Sequence, residues 1–434
     1  MAENRNGEKY KRRIIACILC AFGIIALVII LMAGFFSAKD EREENDIAED
    51  TEAVVESPVP KPQTAEPTNT AAISDEAESD IPQSATIIMV GDILLHTPVE
   101  EAAQDDETGE YNFDFIFEHS RDEISAADLA LVNQEVIIGG KELGISGYPA
   151  FNAPYEIGDA LVKAGFDVIC HGTNHALDKG AKGIINTLDF RRESYPEIGV
   201  VGVYSEQEAY DEIYIREVNG IKVAILNYTY GTNGIPLPSD MPYAVSLLEE
   251  NRVRSQLAEA ESRADFTIVC PHWGIEYNLK TSADQKKWME IFRECGADAV
   301  IGTHPHVIEP YVFYDDEDTE SISNNHGNGD MLVYYSLGNF VNWTSGKGEG
   351  VANRMVGGMA HFIISRKESG EVSLDDYRVE NYVCHVKSGD RNVTVYPLDE
   401  YTDELGAENE IIKQDAAFSK AYCEELCRRV YDDY

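Results

Sequence analysis

The chain has 434 residues, 44% of them hydrophobic, with 78 acidic against 35 basic side chains and a formal net charge of −43. That length exceeds the usual size of one domain, so one large domain with appendages is expected. The charge excludes nucleic acid as a partner, because that binding depends on basic surface displacing counterions, and it disfavours polyanions unless a metal or a local basic patch supplies positive charge.

From Ile14 to Phe36 every residue is apolar or small, with Lys9, Lys11, Arg12 and Arg13 just ahead of it. As a helix this stretch reaches about 34 Å, enough to span a hydrocarbon core. The basic flank predicts a single-pass membrane protein with residues 1–13 in the cytoplasm and the main domain extracytoplasmic. A cleaved signal peptide has a shorter apolar core and a small-residue cleavage site, and neither is present here. Ile14-Ile15-Ala16-Cys17 has the look of an acylation site but follows Arg13 directly, with no apolar segment ahead of it.

Residues 37–84 are rich in Glu, Asp, Ala, Thr and Pro, with Pro58, Pro60, Pro62, Pro67 and Pro82 spaced through them. Nothing there can be buried, so the reading is a disordered acidic linker, extended by self-repulsion. Of the eight cysteines, Cys17 and Cys20 fall in the apolar stretch, and Cys170 and Cys270 sit in strand-like runs as small core residues. Cys423 and Cys427 lie one helical turn apart, and no spacing suggests a zinc knuckle or a disulfide scaffold.

From Thr86 onward short apolar runs alternate with helical patterns. The runs are Thr86–Val90, Leu129–Val132, Asp167–Cys170, Val223–Leu226, Phe266–Val269, Ala299–Ile301 and Met331–Tyr335; helical patterns fall at 155–165, 180–191, 246–263 and 283–295. This predicts an α/β domain over 85–365 with a largely buried sheet. Strand-like segments at 357–365 and 372–384 follow, and 407–431 reads as a helix, so 366–434 is taken as a C-terminal extension of strands and then helix.

The runs end in polar clusters. They are Gly91-Asp92 with His96 beyond, Asn133-Gln134-Glu135, His171-Gly172-Thr173-Asn174-His175 with Asp178, His272-Trp273-Gly274-Ile275-Glu276-Tyr277, Thr303-His304-Pro305-His306, and Ser336-Leu337-Gly338-Asn339. Sites of open α/β sheets lie beyond the carboxyl ends of the strands, so these clusters are expected to converge. Their Asp, Glu, Asn and His side chains form an N/O set suited to Mn, Zn or Fe. A lone histidine is more often a hydrogen-bonded structural residue than a ligand, and His119, His326, His361 and His385 are read that way. His171 is a candidate to support the Asn174-His175 pair; for His96, ligand, substrate contact and loop residue are all open.

Together the clusters, with Asn174-His175-Ala176-Leu177-Asp178-Lys179-Gly180 and Gly296-Ala297-Asp298-Ala299-Val300-Ile301-Gly302 among them, resemble the capsule-synthesis CapA family of poly-γ-glutamate biosynthesis proteins. That family is a branch of the calcineurin-like metallophosphoesterase superfamily. The resemblance, over residues 86 to 345, implies a metallophosphoesterase-like four-layer α/β/β/α sandwich holding two divalent metals. It implies Asp92 and His306 on one metal, Asn174, His272 and His304 on the other, and Glu135 bridging. It further implies His175, oriented by Asp178, as general acid, with Glu276 and Asn339 as residues supporting the ligands or touching substrate. The superfamily opens with Asp-x-His, whereas Ile93 and Leu94 follow Asp92 here, and a Glu replaces its second Asp. Two functions follow: a metal-dependent hydrolase or transferase, acting at phosphorus or on a γ-glutamyl amide of an envelope polymer, or a non-enzymatic component of a polymer synthesis and export complex. The partners expected are the membrane, an anionic polymer such as poly-γ-glutamate and other capsule-synthesis membrane proteins.

Overall fold

A computed structural model describes residues 83–315, 330–389 and 392–432. The apolar stretch 14–36, the tail before it, nearly all of the linker and His326 lie outside the described residues. Among those described, no helix is long and apolar enough to cross a membrane. Gln83 and Ser84, read as linker, belong to the fold: Ser84 pairs with Ser365, and the Arg366 backbone N–H donates to Gln83 O at 2.8 Å.

Two sheets form from strands β1 (Ser84–Ile93), β2 (Leu129–Gln134), β3 (Val168–Cys170), β4 (Gly199–Val201), β5 (Tyr214–Val218), β6 (Ile221–Thr229), β7 (Phe266–His272), β8 (Ala299–Ile301), β9 (Tyr311–Tyr314), β10 (Met331–Tyr334), β11 (Asn339–Val341), β12 (Val356–Arg366), β13 (Val372–Val386) and β14 (Val393–Pro397). The first runs β14-β13-β12-β1-β2-β3-β4 with β11 alongside β1, and the second runs β5-β6-β7-β8-β10-β9. Strands β1 to β4 are mutually parallel, as are β6, β7, β8 and β10, so their carboxyl ends lie on one edge of each sheet.

Strand alternation sorts the buried side chains into layers. Ile87, Met89, Leu129 and Leu131 face Ile225, Ile268, Cys270 and Ile301 between the sheets. Their neighbours Val90, Ala130, Val132 and Ile169 turn outward onto helix α1 (Tyr155–Ala164), through Ile157 and Leu161. On the other side Leu226, Val269, Val300 and Val333 pack on Val253 and Leu257 of α3 (Glu250–Arg263) and Phe292 of α4 (Ala283–Glu294). Helix α2 (Gly180–Ser194) covers the β3–β4 side through Ile184. The result is helices, sheet, sheet, helices.

The C-terminal segment differs from the single helix expected over 407–431. A helix at Asp403–Glu408, a 3₁₀ turn at Glu410–Lys413 and helix α5 (Lys420–Tyr431) are separated by Asn409 and Ser419, whose side chains accept from the Ile411 and Tyr422 N–H groups. Such side chains offer the backbone an alternative to continuing the helix. Helix α3 likewise starts at Glu250 rather than 246, because Ser246 N–H donates to Gly202 O and Leu247 bridges Thr229.

Beside α4, Glu309 is 1% exposed, and the only hydrogen bond of its carboxylate among the described residues is accepted by one oxygen from Gln285 Nε2; the other oxygen is buried without a partner. Burial raises its pKa from 4.5 to about 8, against the Gln285 hydrogen bond. Across that window the folded chain keeps a proton that the unfolded chain has released, so stability falls as pH rises through it. Glu309→Gln keeps the shape and the Gln285 contact without the charge. Urea titrations are expected to give equal midpoints for variant and wild type at pH 5 and a more stable variant at pH 9, by a few kcal/mol at most, on the order implied by the linkage relation. Equal midpoints at both values would refute the assignment.

Candidate metal centre

The two sheet edges bring the polar clusters together. Asp92 ends β1, where Gly91 lets β11 approach: a Cβ there would stand 2.0 Å from Gly338 O. Asp92 N–H donates to that carbonyl at 2.9 Å, which sets Asn339 level with Asp92. Asn133, the penultimate residue of β2, donates from Nδ2 to Asp92 Oδ1 at 2.8 Å. Glu135 follows β2 directly and is fully buried.

Glu135 is the centre of the arrangement. His306 Nε2 lies 3.7 Å from its Oε1, and His175 Nε2 and His272 Nε2 each lie 3.9 Å away. Neither carboxylate oxygen has a hydrogen-bond partner among the described residues. His272 Nε2 is 2.8 Å from Asn174 Oδ1, with its Nδ1 3.0 Å from Thr303 Oγ1. His306 Nδ1 lies 3.0 Å from Asn339 Oδ1 and 3.2 Å from Asp92 Oδ2, which leaves its Nε2 facing Glu135. His304 Nδ1 is buried and unpartnered, and its ring centroid is 4.8 Å from that of His272.

Burial pushes the His272 and His304 pKa values well below the ordinary range, with neighbouring histidines adding to it, so both rings are neutral. Glu135 is raised to about 7, by burial first and then by Asp92. For His306 burial works downward, but Glu135 and Asp92 outweigh it and raise the pKa to about 9. The same carboxylates attract any cation. Two neutral imidazoles, one with its Nδ1 unpartnered, set beside His306 and a carboxylate with neither oxygen hydrogen-bonded, fit a divalent metal by the chemistry of the donor set. Ligand-grade atoms group as Asp92, Glu135 and His306 and as Glu276, His304 and His306. Glu276, expected to support the ligands or touch substrate, is therefore a donor candidate in its own right.

Backbone strain collects here. Among the described residues, positive φ at non-glycine positions occurs at Asn219, Asn233 (51°), Tyr277 (64°), His304 (99°) and His306 (58°), and all but Asn219 lie around the cluster. Such conformations persist where the surroundings over-determine them, which is common at functional sites.

His175 stands at the rim. Its Nδ1 is 2.7 Å from Asp178 Oδ2, which also accepts from the Phe151 N–H at 2.7 Å, and the Phe151 ring meets the imidazole edge-on at 4.7 Å. Burial lowers the His175 pKa, but the Asp178 hydrogen bond and the charges of Glu135 and Asp178 carry it above the ordinary value. His96 lies edge-on to the same Phe151 at 5.3 Å. His171 is not in the cluster: it is buried beside Arg191, with its pKa lowered to about 3 by burial and then by that guanidinium. Of the histidines read as structural, His385 is buried against Tyr401 Oη at 2.9 Å and His119 stacks on Tyr396.

The residues that the motif reading left without a role are Asn133, Thr303, Asn233 and Arg354. Asn133 sits in the Asn133-Gln134-Glu135 cluster, and strand alternation alone puts it on the Glu135 face. Asn233 Oδ1 accepts from Asn174 Nδ2 (3.2 Å) and its amide lies 3.4 Å from His175 Nδ1, from a loop with no motif.

The capsule biosynthesis protein CapA of Bacillus anthracis is 28% identical over 281 residues, covering 61% of this chain and 62% of the relative. The PGA biosynthesis protein CapA of Bacillus subtilis is 32% identical over 184 residues, covering 41% of this chain and 44% of the relative. The chain thus spans less than two thirds of the length of either. Loose likenesses are found to two solved structures at 14% identity: the 5'-nucleotidase precursor of Thermus thermophilus (TM-score 0.39, 80% of this chain and 58% of that one) and the calcineurin-like phosphoesterase YfkN of Bacillus subtilis (TM-score 0.37, 79% and 99%). Residues 86–344, more than half of the chain, match the model of the bacterial capsule synthesis protein PGA_cap, and the chain belongs to that family.

Proposed function

We propose that the chain is a divalent-metal-dependent hydrolase or transferase of capsule synthesis, acting on an anionic envelope polymer such as poly-γ-glutamate. In this reading its domain is held outside the membrane by the apolar segment 14–36. The observation that carries the catalytic reading is Glu135: a buried carboxylate with both oxygens unpaired and the Nε2 atoms of three histidines within 4 Å of Oε1. Packing alone gives no reason for such an arrangement, since burying a carboxylate without a hydrogen bond to either oxygen is costly and the His306 charge only partly offsets it. Asp92, Glu135, Asn174, His272, His304 and His306 would hold two ions, with Glu276 as a further donor.

Bound divalent ions supply a water ionised near neutral pH and charge to hold the reacting oxygens. The chain's own groups do the rest. Asn339 and Asp92 fix the His306 tautomer, and Thr303 and Asn174 fix the His272 ring. Asp178 takes the His175 Nδ1 proton as a hydrogen bond, so Nε2 faces the cluster and can donate to a leaving alkoxide or amine.

Metal content of the full chain, purified in detergent and supplemented with Mn and Zn, tests this reading. Close to two equivalents per chain are expected, with loss in the His272→Ala/His304→Ala double variant. Equal, background metal in both proteins would sink the catalytic reading and favour a non-enzymatic role in polymer assembly.

A further inference from the structure

Five of the six large apolar side chains most exposed among the described residues lie in the loops at the strand ends. Tyr148, Tyr230, Ile235, Ile275 and Tyr277 are 37–75% exposed, and only Tyr377 lies elsewhere. Tyr230 packs on His304 (4.6 Å between ring centroids) and Tyr277 on His306 (5.8 Å). On a surface of strong negative charge, such residues beside a polar cluster mark a contact face.

A cation completes this rim. The Arg354 guanidinium lies 3.5 Å from the Tyr277 ring centroid, in stacking range, and its Nη1 donates to Thr344 Oγ1 at 3.1 Å. Its Nε is buried without a partner, and no carboxylate forms an ion pair with it among the described residues. Its charge reaches the site: burial chiefly lowers the His96 pKa to about 4, with His306, His175 and Arg354 adding to it. Arginine is well matched to carboxylate and phosphate oxygens, and stacking on an aromatic face leaves its outer edge free.

The Arg354 loop is held from the C-terminal segment. Gln414 Nε2 donates to Thr344 O (2.6 Å), Asp415 Oδ2 accepts from Ala352 N–H (3.2 Å), and Tyr422 Oη donates to Asn353 Oδ1 (2.6 Å). Arg354 lies beyond residues 86–344, so the segment after the family match supplies this charge and fixes its position.

We propose that Arg354, stacked on Tyr277, is the substrate-anchoring residue of the site and receives an anionic oxygen group, carboxylate or phosphate, next to the metal cluster. This rests on the proposed function for the identity of the neighbouring site. It gives a strongly acidic protein a local means of holding an anionic chain, with Tyr230 and Tyr277 covering the apolar stem.

Calorimetric titration of the full chain in detergent tests it, with inorganic phosphate and a γ-linked glutamate trimer as probes, each with Mn and with EDTA. Arg354→Gln is expected to weaken at least one probe by about 10- to 100-fold, as expected for a lost charge-assisted hydrogen bond. Arg354→Lys should be intermediate, with metal content and melting temperature close to wild type in both variants. The probe that responds identifies phosphate or carboxylate as the group held. Arg354-dependent binding that persists in EDTA would support the anchor even if the metal reading failed. Binding by Arg354→Gln equal to that of wild type would overturn the anchor and leave the metal reading standing, and a wild type that binds neither probe would also overturn it.

Discussion

His175→Ala is expected to lower turnover by about 10²- to 10⁴-fold, the usual contribution of a positioned general acid, while metal content stays at the wild-type level. The ring is placed by Asp178 and Phe151, and its Nε2 is 3.9 Å from Glu135, so it reaches the cluster without being enclosed by it. The choice of leaving group separates proton donation from a structural role. p-Nitrophenyl phosphate leaves well without a proton, whereas phenyl phosphate and a γ-glutamyl amide do not. The deficit should therefore be small on the first and large on the others. Asp178→Asn, which keeps the shape but removes the charge holding the Nδ1 proton, should show the same pattern more weakly. A deficit equal on all substrates would remove His175 from proton transfer, and one accompanied by metal loss would make it a ligand.

Much of the fold is legible because buried parallel strands are short apolar runs; β1, β2, β3, β6, β7, β8 and β10 all lie on such runs. The strands that escape sequence reading are of two kinds. β5, β9 and β14 are edge strands with mixed, partly buried side chains, and β4 and β11 are three residues long with a glycine in or next to them that breaks the apolar run. β11 was hidden in the Gly338-Asn339 cluster, where its position next to β1 depends on Gly91 having no side chain. The candidate site was legible for a different reason: Asp92, Glu135, Asn174, His175, His272, His304 and His306 follow strands that run the same way, so topology alone gathers them. Arg354 and Asn233 had no such signal. Each sits in a loop or turn with no pattern of its own, and only the tertiary fold carries it to the rim.

Glu135→Gln is expected to separate stability from function in one substitution. With chelator present, the wild type keeps a buried carboxylate with neither oxygen hydrogen-bonded, and burial with Asp92 outweighs the offsetting His306 charge in raising its pKa to about 7. The amide has the same shape without the charge. The variant should therefore unfold at a higher temperature than wild type in EDTA, by an amount corresponding to about 1–3 kcal/mol, the range for relieving an unsatisfied buried group. Manganese should reverse the order. A ligand that binds only the folded chain stabilises by about 2.7 kcal/mol at a hundred times its dissociation constant, so wild type gains and the variant, short of its central donor, does not. Thermal melts of the two proteins with EDTA and with Mn are sufficient to decide it. A variant less stable than wild type in EDTA would mean that Glu135 is already satisfied within the fold, and a variant that still gains from Mn would show that the ion does not depend on Glu135. Crossing curves would mean that the chain carries a destabilising carboxylate whose compensation comes from the metal, the trade-off expected where a site is built for binding rather than for packing.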